Sequence, residues 1–402
     1  MDYSFSTISR RIKRSEIREI LKLTRKPGII SFGGGLPDSD LFPTEEISKI
    51  TSSVLMEKGY LALQYGPTQG EQPMINSLIK HMNEHQEQAL SNQICVTSSS
   101  QQGLDLLSLL FLDNHSPIIM ELPSYLGAIQ VFSRCGADMY GIPMDEQGMK
   151  IDVLENVVNE LDHQHRKPKF IYTIPDFQNP AGISLSLDRR KKLIDMAKIY
   201  QIPIVEDSPY RELSFSGEIL PSLWTLSGGE GVIMLKTFSK MLFPGMRMGW
   251  LVGETELVEK IILLKQSVDL CTPSFNQLIL AEFIEQGGMK NIIHQAVELY
   301  KPKIKTMLNS LENYMPDEVS WSKPRGGMFL WLTLPQSMDS KDLLFKAVEN
   351  NVAYVIGQPF HCDGSGKNTL RLNYSFPSLE QIERGIKLLA QVIKQQTTSG
   401  DL

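Results

Sequence analysis

The sequence predicts an α/β fold: a mostly parallel sheet covered by helices on both faces, with a smaller α+β part assembled from both chain ends. Three observations carry this expectation. Between about residues 70 and 255, short apolar runs bounded by Pro, Gly, Ser or Asp alternate with segments of helical period, the pattern of strands and helices laid in turn. The runs are apolar almost throughout, as strands buried on both faces are. After about residue 290 the pattern changes to long amphipathic helices and a few short strands.

In chain order, SRRIKRSEIREILKLT reads as an amphipathic helix with Ile12, Ile17, Ile20 and Leu21 on one side, and SFGGGLPDSDLFP as an irregular loop. The Arg and Lys of that helix read as a solvated face. The strand-like runs are QICVTS, PIIMEL, KFIYTIP, IPIVEDS, GVIMLKTF and MGWLVG; between them lie helical segments such as QQGLDLLSLLFLD, YLGAIQVFSR and LDRRKKLIDMAKIY. The last part carries PRGGMFLWLTL, YVIGQPF and LRLNYSF and closes with the helix SLEQIERGIKLLAQVIKQ. The expected division is residues 1–45 as a segment joining the smaller domain, 46–290 as the large domain and 291–402 as the smaller one.

Composition excludes several classes. The 402 residues carry 40 Lys plus Arg against 46 Asp plus Glu, a formal net charge of −6 that offers no overall basic field for nucleic acid or anionic lipid. The longest apolar runs, such as Leu104 to Leu112, are interrupted by Asp105 and Ser108 and fall short of the ~18 residues a membrane span needs. Four scattered cysteines without a CxxC pair, and a start without the apolar stretch of a secretory signal, point to a reducing cytoplasm. No metal site is expected: the one close histidine pair noticed, His163 and His165, sits in the polar stretch ELDHQHRKPK and reads as a solvated turn.

In open α/β sheets ligands bind beyond the carboxyl ends of strands, and four such ends carry polar groups. QICVTS runs into Ser99, Ser100, Gln101 and an apolar helix, which suits a phosphate at a helix N-terminus or, equally, an ordinary serine cap. KFIYTIP leads to DFQNPAG, where Asn179 precedes Pro180 in a turn. IPIVEDSPY delivers Glu206 and Asp207 from a buried strand; such carboxylates need a partner, either a ligand or a local arginine. GVIMLKTFSKMLFPGMRMGW carries Lys240 after Thr237 and Ser239, with Arg247 following. A lone lysine there would snorkel to solvent; beside fixed cations and in dry surroundings it could form a Schiff base with a carbonyl cofactor.

Taken in order, SSSQQGLDL, ELPSYLGAIQ, PDFQNPAG, EDSPYREL, TFSKMLFPGMRMGW, PRGGMF and LRLNYS resemble the fold-type I pyridoxal-phosphate enzymes of the class I/II aminotransferase family. The resemblance runs over nearly the whole chain and is closest to the branch of 2-aminoadipate (kynurenine) and multi-substrate bacterial aminotransferases. It implies a large domain with a mostly parallel seven-stranded sheet between helices, pyridoxal 5'-phosphate as cofactor and a homodimer with shared active sites.

Residue by residue, it implies Lys240 as the Schiff-base lysine and proton-transfer base, and Asp207 as partner of the pyridine nitrogen. Asn179 and Tyr210 would bond the ring 3′-oxygen, and Tyr125 would stack on the ring. Ser100, the Gln101 backbone N–H, Ser239 and Arg247, with Thr237 as an addition, would hold the phosphate, and Tyr65 would reach the phosphate of the other subunit. Arg371 would grip the substrate carboxylate, with Gly35 presenting backbone to it. Two positions depart from the family pattern: Lys236, where many members have Gly and where a charge could compete for the cofactor or tune its phosphate, and Asp176, where relatives often have Asn. Cys135, His361 and Cys362 receive no role beyond packing.

The activity implied is ping-pong transfer of an amino group from an L-amino acid to a 2-oxo acid. A carbon–sulfur β-lyase or a decarboxylase on the same fold shares every cofactor contact and is the alternative; Arg371 and the branch resemblance favour transfer. Some transcription regulators carry this domain behind a winged helix, but here the matched region begins within about ten residues of Met1, short of the ~60 such a module takes.

Overall fold

Strands running from Ile94 to Val252 assemble into the central sheet of the computed structural model, which describes residues 3–12 and 28–399. They are β2 (Ile94–Thr97), β3 (Pro117–Leu122), β4 (Asp138–Asp145), β5 (Gly148–Met149), β6 (Ile171–Thr173), β7 (Ile204–Asp207), β8 (Val232–Thr237) and β9 (Gly249–Val252), in the order β2-β9-β8-β7-β6-β3-β4-β5. From β8 to β4 the strands are parallel. Strand β9 runs against both neighbours, and β5 is a two-residue antiparallel addition at the far edge. Seven strands thus form the body of the sheet, as expected, with β5 appended.

The parallel arrangement follows from the helices between strands, among them Ser99–Phe111, Leu126–Cys135 and Leu187–Tyr200, which cover the sheet and leave every residue of β2, β6, β7, β8 and β9 buried. Alternation along each strand then decides what each residue meets. Cys95, Tyr172, Val205, Ile233, Leu235 and Leu251 join one core cluster, while Ile94, Val96, Ile171, Ile204, Val232, Met234 and Trp250 join another on the opposite face. Parity therefore sends Asp207 and Thr237 to the first face and Glu206 and Lys236 to the second.

A second sheet, β10-β11-β14-β13, is antiparallel and built from Ser320–Trp321, Phe329–Thr333, Thr369–Asn373 and Val355–Ile356. Early residues return to this part of the chain: β1 (Ile30–Ser31) pairs in parallel with β12 (Val352–Ala353), and Lys303 Nζ donates to Asp38 Oδ2 at 2.8 Å. The long helices Gly288–Tyr314 and Leu379–Ser399 pack on each other beside it.

Of the amphipathic helix expected near the start, Thr7–Arg11 is helical and capped by Ser6, and Ile12 is exposed; Ile17, Ile20 and Leu21 lie outside the described residues. His163 and His165 are exposed at the end of a helix and the turn after it. No described helix is long and apolar enough to cross a membrane.

Candidate active site

A cavity of about 630 Å³ opens at the carboxyl edge of the parallel strands. Its wall brings together Gly35, Ser100, Gln101, Tyr125, Asn179, Asp207, Tyr210, Thr237, Ser239, Lys240, Arg247 and Arg371 from positions more than 300 residues apart in the chain. The sheet supplies the spatial order: Asp207 ends β7, Thr237 ends β8, and Ser99 starts the helix after β2.

One end of the cavity is rich in donors. Arg247 donates from Nη2 to Ser99 Oγ at 2.6 Å and from Nη1 to Ser239 Oγ at 3.3 Å, and Thr237 Oγ1 lies 3.0 Å from Ser239 Oγ. Ser99 and Arg247 both occupy left-handed backbone, at φ 66° and 51°, a conformation that costs non-glycine residues and persists only where surroundings enforce it. Part of that enforcement is Gly249: a Cβ there would stand 2.6 Å from the Lys236 carbonyl oxygen and 2.8 Å from Ser99 Cα, so β8, β9 and the helix start touch backbone to backbone. Beside this end, the Tyr125 hydroxyl donates to Gln101 Oε1 at 3.3 Å.

In the middle stands Asp207, buried, with the Tyr172 hydroxyl donating to its Oδ2 at 2.8 Å. Its Oδ1 has no hydrogen-bond partner. Burial pushes the carboxyl up to about 7, against the lowering effect of the Tyr172 bond. Tyr210 is buried nearby and its phenol is pushed up by burial, with Asn179 bonded to it.

Lys240 and Arg371 face each other across the remaining space. The Lys240 ammonium donates to the Gly35 carbonyl at 2.6 Å. Burial, then the charges of Arg371 and Arg247, lower it to about 8. Arg371 donates to Asn179 Oδ1 at 2.9 Å and to the Gly33 and Gly34 carbonyls at 3.4 and 3.3 Å, while its Nε has no hydrogen-bond partner. Its guanidinium carbon lies 4.1 Å from the Phe329 ring centre and 5.2 Å from that of Phe360. Burial brings it down to about 10. Gly35 is small by necessity, since a Cβ would meet Phe329 Cζ at 3.2 Å.

Three sequence expectations need correction or completion. Lys236 does not reach this cavity: strand alternation turns it to the other face, where it is fully buried against Glu87 at 2.7 Å and Glu212 at 2.9 Å. Burial works against its ammonium, but the two carboxylates outweigh that and raise its pKa. Asp176 likewise is engaged elsewhere, buried between Arg190 and Arg211. Tyr65 is 79% exposed and lies outside the cavity of its own chain. Tyr172 and the rings of Phe329 and Phe360 belong to the cavity or its support and were missed, and of the serines read at the helix start it is Ser99 that Arg247 meets. Parity from Asp207 through the neighbouring strand could have found Tyr172; no sequence signal distinguishes Ser99 from Ser98 and Ser100.

A lysine and two arginines lining a cavity at the carboxyl edge of a helix-covered, mostly parallel sheet is the arrangement of fold-type I enzymes. The family model for aminotransferase class I and II matches residues 28–389, and the chain belongs to that family: it is an aminotransferase. Aromatic-amino-acid aminotransferase 1 of Thermococcus litoralis is 44% identical over 98% of this chain and 96% of its own length. Among solved structures, the multiple substrate aminotransferase of Thermococcus profundus superposes with a TM-score of 0.95 at 43% identity, covering 98% of each chain. The α-aminoadipate aminotransferase LysN of Thermus thermophilus, solved with N-(5'-phosphopyridoxyl)-L-leucine, gives 0.90 at 39% identity, also over 98% of each.

Proposed function

We propose that the chain moves the amino group of an aromatic, branched-chain or 2-aminoadipate-type L-amino acid to a 2-oxo acid such as 2-oxoglutarate, by a ping-pong mechanism with pyridoxal 5'-phosphate. The observation that carries this reading is the pairing, in one cavity, of a lysine held near neutrality with a buried carboxylate whose Oδ1 lacks a partner. The residues fit the cofactor: an orphaned Asp207 oxygen suits a protonated pyridine nitrogen, and the Ser99–Ser239–Arg247 donors, with Ser100, Thr237 and the Gln101 backbone, suit a phosphate at a helix start. The relatives named for aromatic and aminoadipate substrates support the substrate range.

Asp207 would hold the ring nitrogen, Asn179 and Tyr210 the ring oxygen, Tyr125 the ring face, and Lys240 the cofactor's carbonyl carbon. When bound, the cofactor supplies an electron sink for the pair released at the amino acid's Cα. Lys240 is the base that carries the Cα proton; its lowered pKa leaves a usable free-amine fraction near neutral pH. Arg371 grips the α-carboxylate, already oriented by Asn179 and the Gly33 and Gly34 carbonyls and flanked by Phe329. Phe329, Phe360 and Tyr125 keep water from the reacting atoms. Both half-reactions use the same groups, since the leaving 2-oxo acid and the incoming one each present a carboxylate to Arg371.

Tyr65, exposed in one chain, would complete the phosphate site of a second copy, which makes the homodimer the working unit. The two sheets and the β1–β12 pairing support a division into an N-terminal segment to residue 45, a cofactor domain over 46–290 and a smaller domain over 291–402. Four free cysteines suit a reducing cytoplasm. The test is a half-reaction screen: amino acids are added singly to the cofactor-loaded protein, and cofactor amination and 2-oxo acid are measured. Stoichiometric amination with release of the matching oxo acid is expected; pyruvate and ammonia from cysteine-type substrates without amination would replace transfer by lysis.

A further inference from the structure

Behind the sheet, on the face away from Lys240, a second cavity of about 480 Å³ is lined by side chains that the transfer reaction does not use. We propose that His81, His85 and Glu212 in its wall bind a divalent transition-metal ion of the zinc class.

Spacing is the first reason. His81 lies in the last turn of helix Gln72–Glu84 and His85 is its C-cap, four residues on, so both imidazoles project from one helix face, the arrangement that lets two histidines share one metal. Their ring centres are 4.8 Å apart. Glu212 closes the third side, with His81 Nε2 3.5 Å from Glu212 Oε1 and the ligand atoms of all three residues within 4.8 Å of one another. A tetrahedral ion with ligands at about 2.0–2.1 Å sets its ligand atoms roughly 3.4 Å apart, a spacing that small rotations of these side chains would reach. Among the described residues this is the one cluster of three or more such ligands.

Unmet hydrogen bonding is the second, independent reason. His81 Nε2 and Glu212 Oε2 are buried without a hydrogen-bond partner, in residues only 6% and 4% exposed. Buried carboxylate oxygens and imidazole nitrogens are ordinarily satisfied, and a cation between them satisfies both. Lys236 stands on one side of Glu212, at 2.9 Å from Oε1, which leaves Oε2 for a metal.

The cavity supplies an entry path and a place for the remaining ligand. It opens past Lys80 and Lys290, both well exposed, and its inner wall includes Ile284, Met289 and Ile293. A water molecule would fill the fourth position there. Lys236 opposes a further positive charge, so the affinity should be micromolar rather than that of a four-ligand structural site. The sequence reading, which expected no metal and weighed only His163 and His165, overlooked the i, i+4 spacing of His81 and His85.

The test uses the cofactor-loaded, full-length protein, stripped with a chelator and titrated with Co²⁺, followed by displacement with Zn²⁺. The expected result is one Co²⁺ per chain with the visible ligand-field absorption of a four- or five-coordinate site, lost on adding Zn²⁺, and a higher Tm in Zn²⁺. His85→Ala, at a half-buried helix end where folding is least at risk, should weaken binding more than about tenfold and abolish the Tm rise, with metal-free transaminase activity unchanged. His115→Ala, an exposed control, should bind as the unaltered protein does. Absence of saturable binding at one equivalent, or binding that survives in His85→Ala, would overturn the proposal.

Discussion

The two faces of the central sheet treat charge in opposite ways. On the face that carries Lys240, the cations Arg247, Lys240 and Arg371 meet only neutral acceptors, hydroxyls, an amide and carbonyls, and Asp207 keeps an unpartnered oxygen. On the other face, Lys236 sits between Glu87 and Glu212, and Arg190 and Arg211 sit on Asp176. Arg371, Lys236, Arg190 and Arg211 are all buried, so a low-dielectric setting is found on both faces. What differs is whether the protein itself supplies the counter-charge. The first face is incomplete without an anionic, cationic-nitrogen-bearing ligand; the second carries an ion-pair network that holds β8 to the segment after β7 and still leaves Glu212 Oε2 unmet.

Exchanging the roles of the two lysines breaks the comparison most sharply. Lys240→Ala should lower kcat by about 10²–10⁴-fold, since it removes the proton-transfer base, while leaving the melting temperature nearly unchanged; steady-state kinetics and calorimetry read the two effects. Lys236→Met should do the reverse. It strands Glu212 without its lysine and leaves Glu87 with Arg211 alone, a change worth roughly 3–5 kcal/mol of stability, while the protein that folds still attaches cofactor; urea unfolding and the cofactor's visible band are the measurements.

Smaller effects sharpen the picture. Tyr172→Phe removes the one hydrogen bond that the Asp207 carboxylate makes among the described residues. Bonds to charged groups contribute about 1.5–3 kcal/mol, so cofactor affinity, followed by absorbance on dilution, should weaken by roughly tenfold or more. In cofactor-free protein Lys240 should titrate near 8, so reaction with an amine-directed label, read by peptide mapping, should rise as pH climbs from 7 through 8 and level off above it. Lys236, whose pKa is raised and which is fully buried, should stay unlabelled across that range.

Which face a residue meets was legible where strand alternation decides it. Apolar residues along IPIVED and GVIMLKT alternate between two cores, and that parity separates Asp207 from Glu206 and Thr237 from Lys236. The motifs located Lys240, Arg247 and Arg371 because each sits at a strand end or on a strand whose register is fixed by burial. Other features depend on contacts between distant segments, which local pattern does not encode. Ser99 rather than a neighbouring serine meets Arg247 because of the left-handed backbone at the helix start pressed against Gly249. The partners of Lys236 come from residues 87 and 212, on loops that only the folded sheet brings together.

Reduction shows directly which lysine carries the cofactor. Borohydride treatment of the purified protein, followed by proteolysis and mass spectrometry, should place one pyridoxyl group on Lys240, in the stretch between Thr237 and Arg247. A pyridoxyl group on Lys236, or none on any lysine, would contradict it.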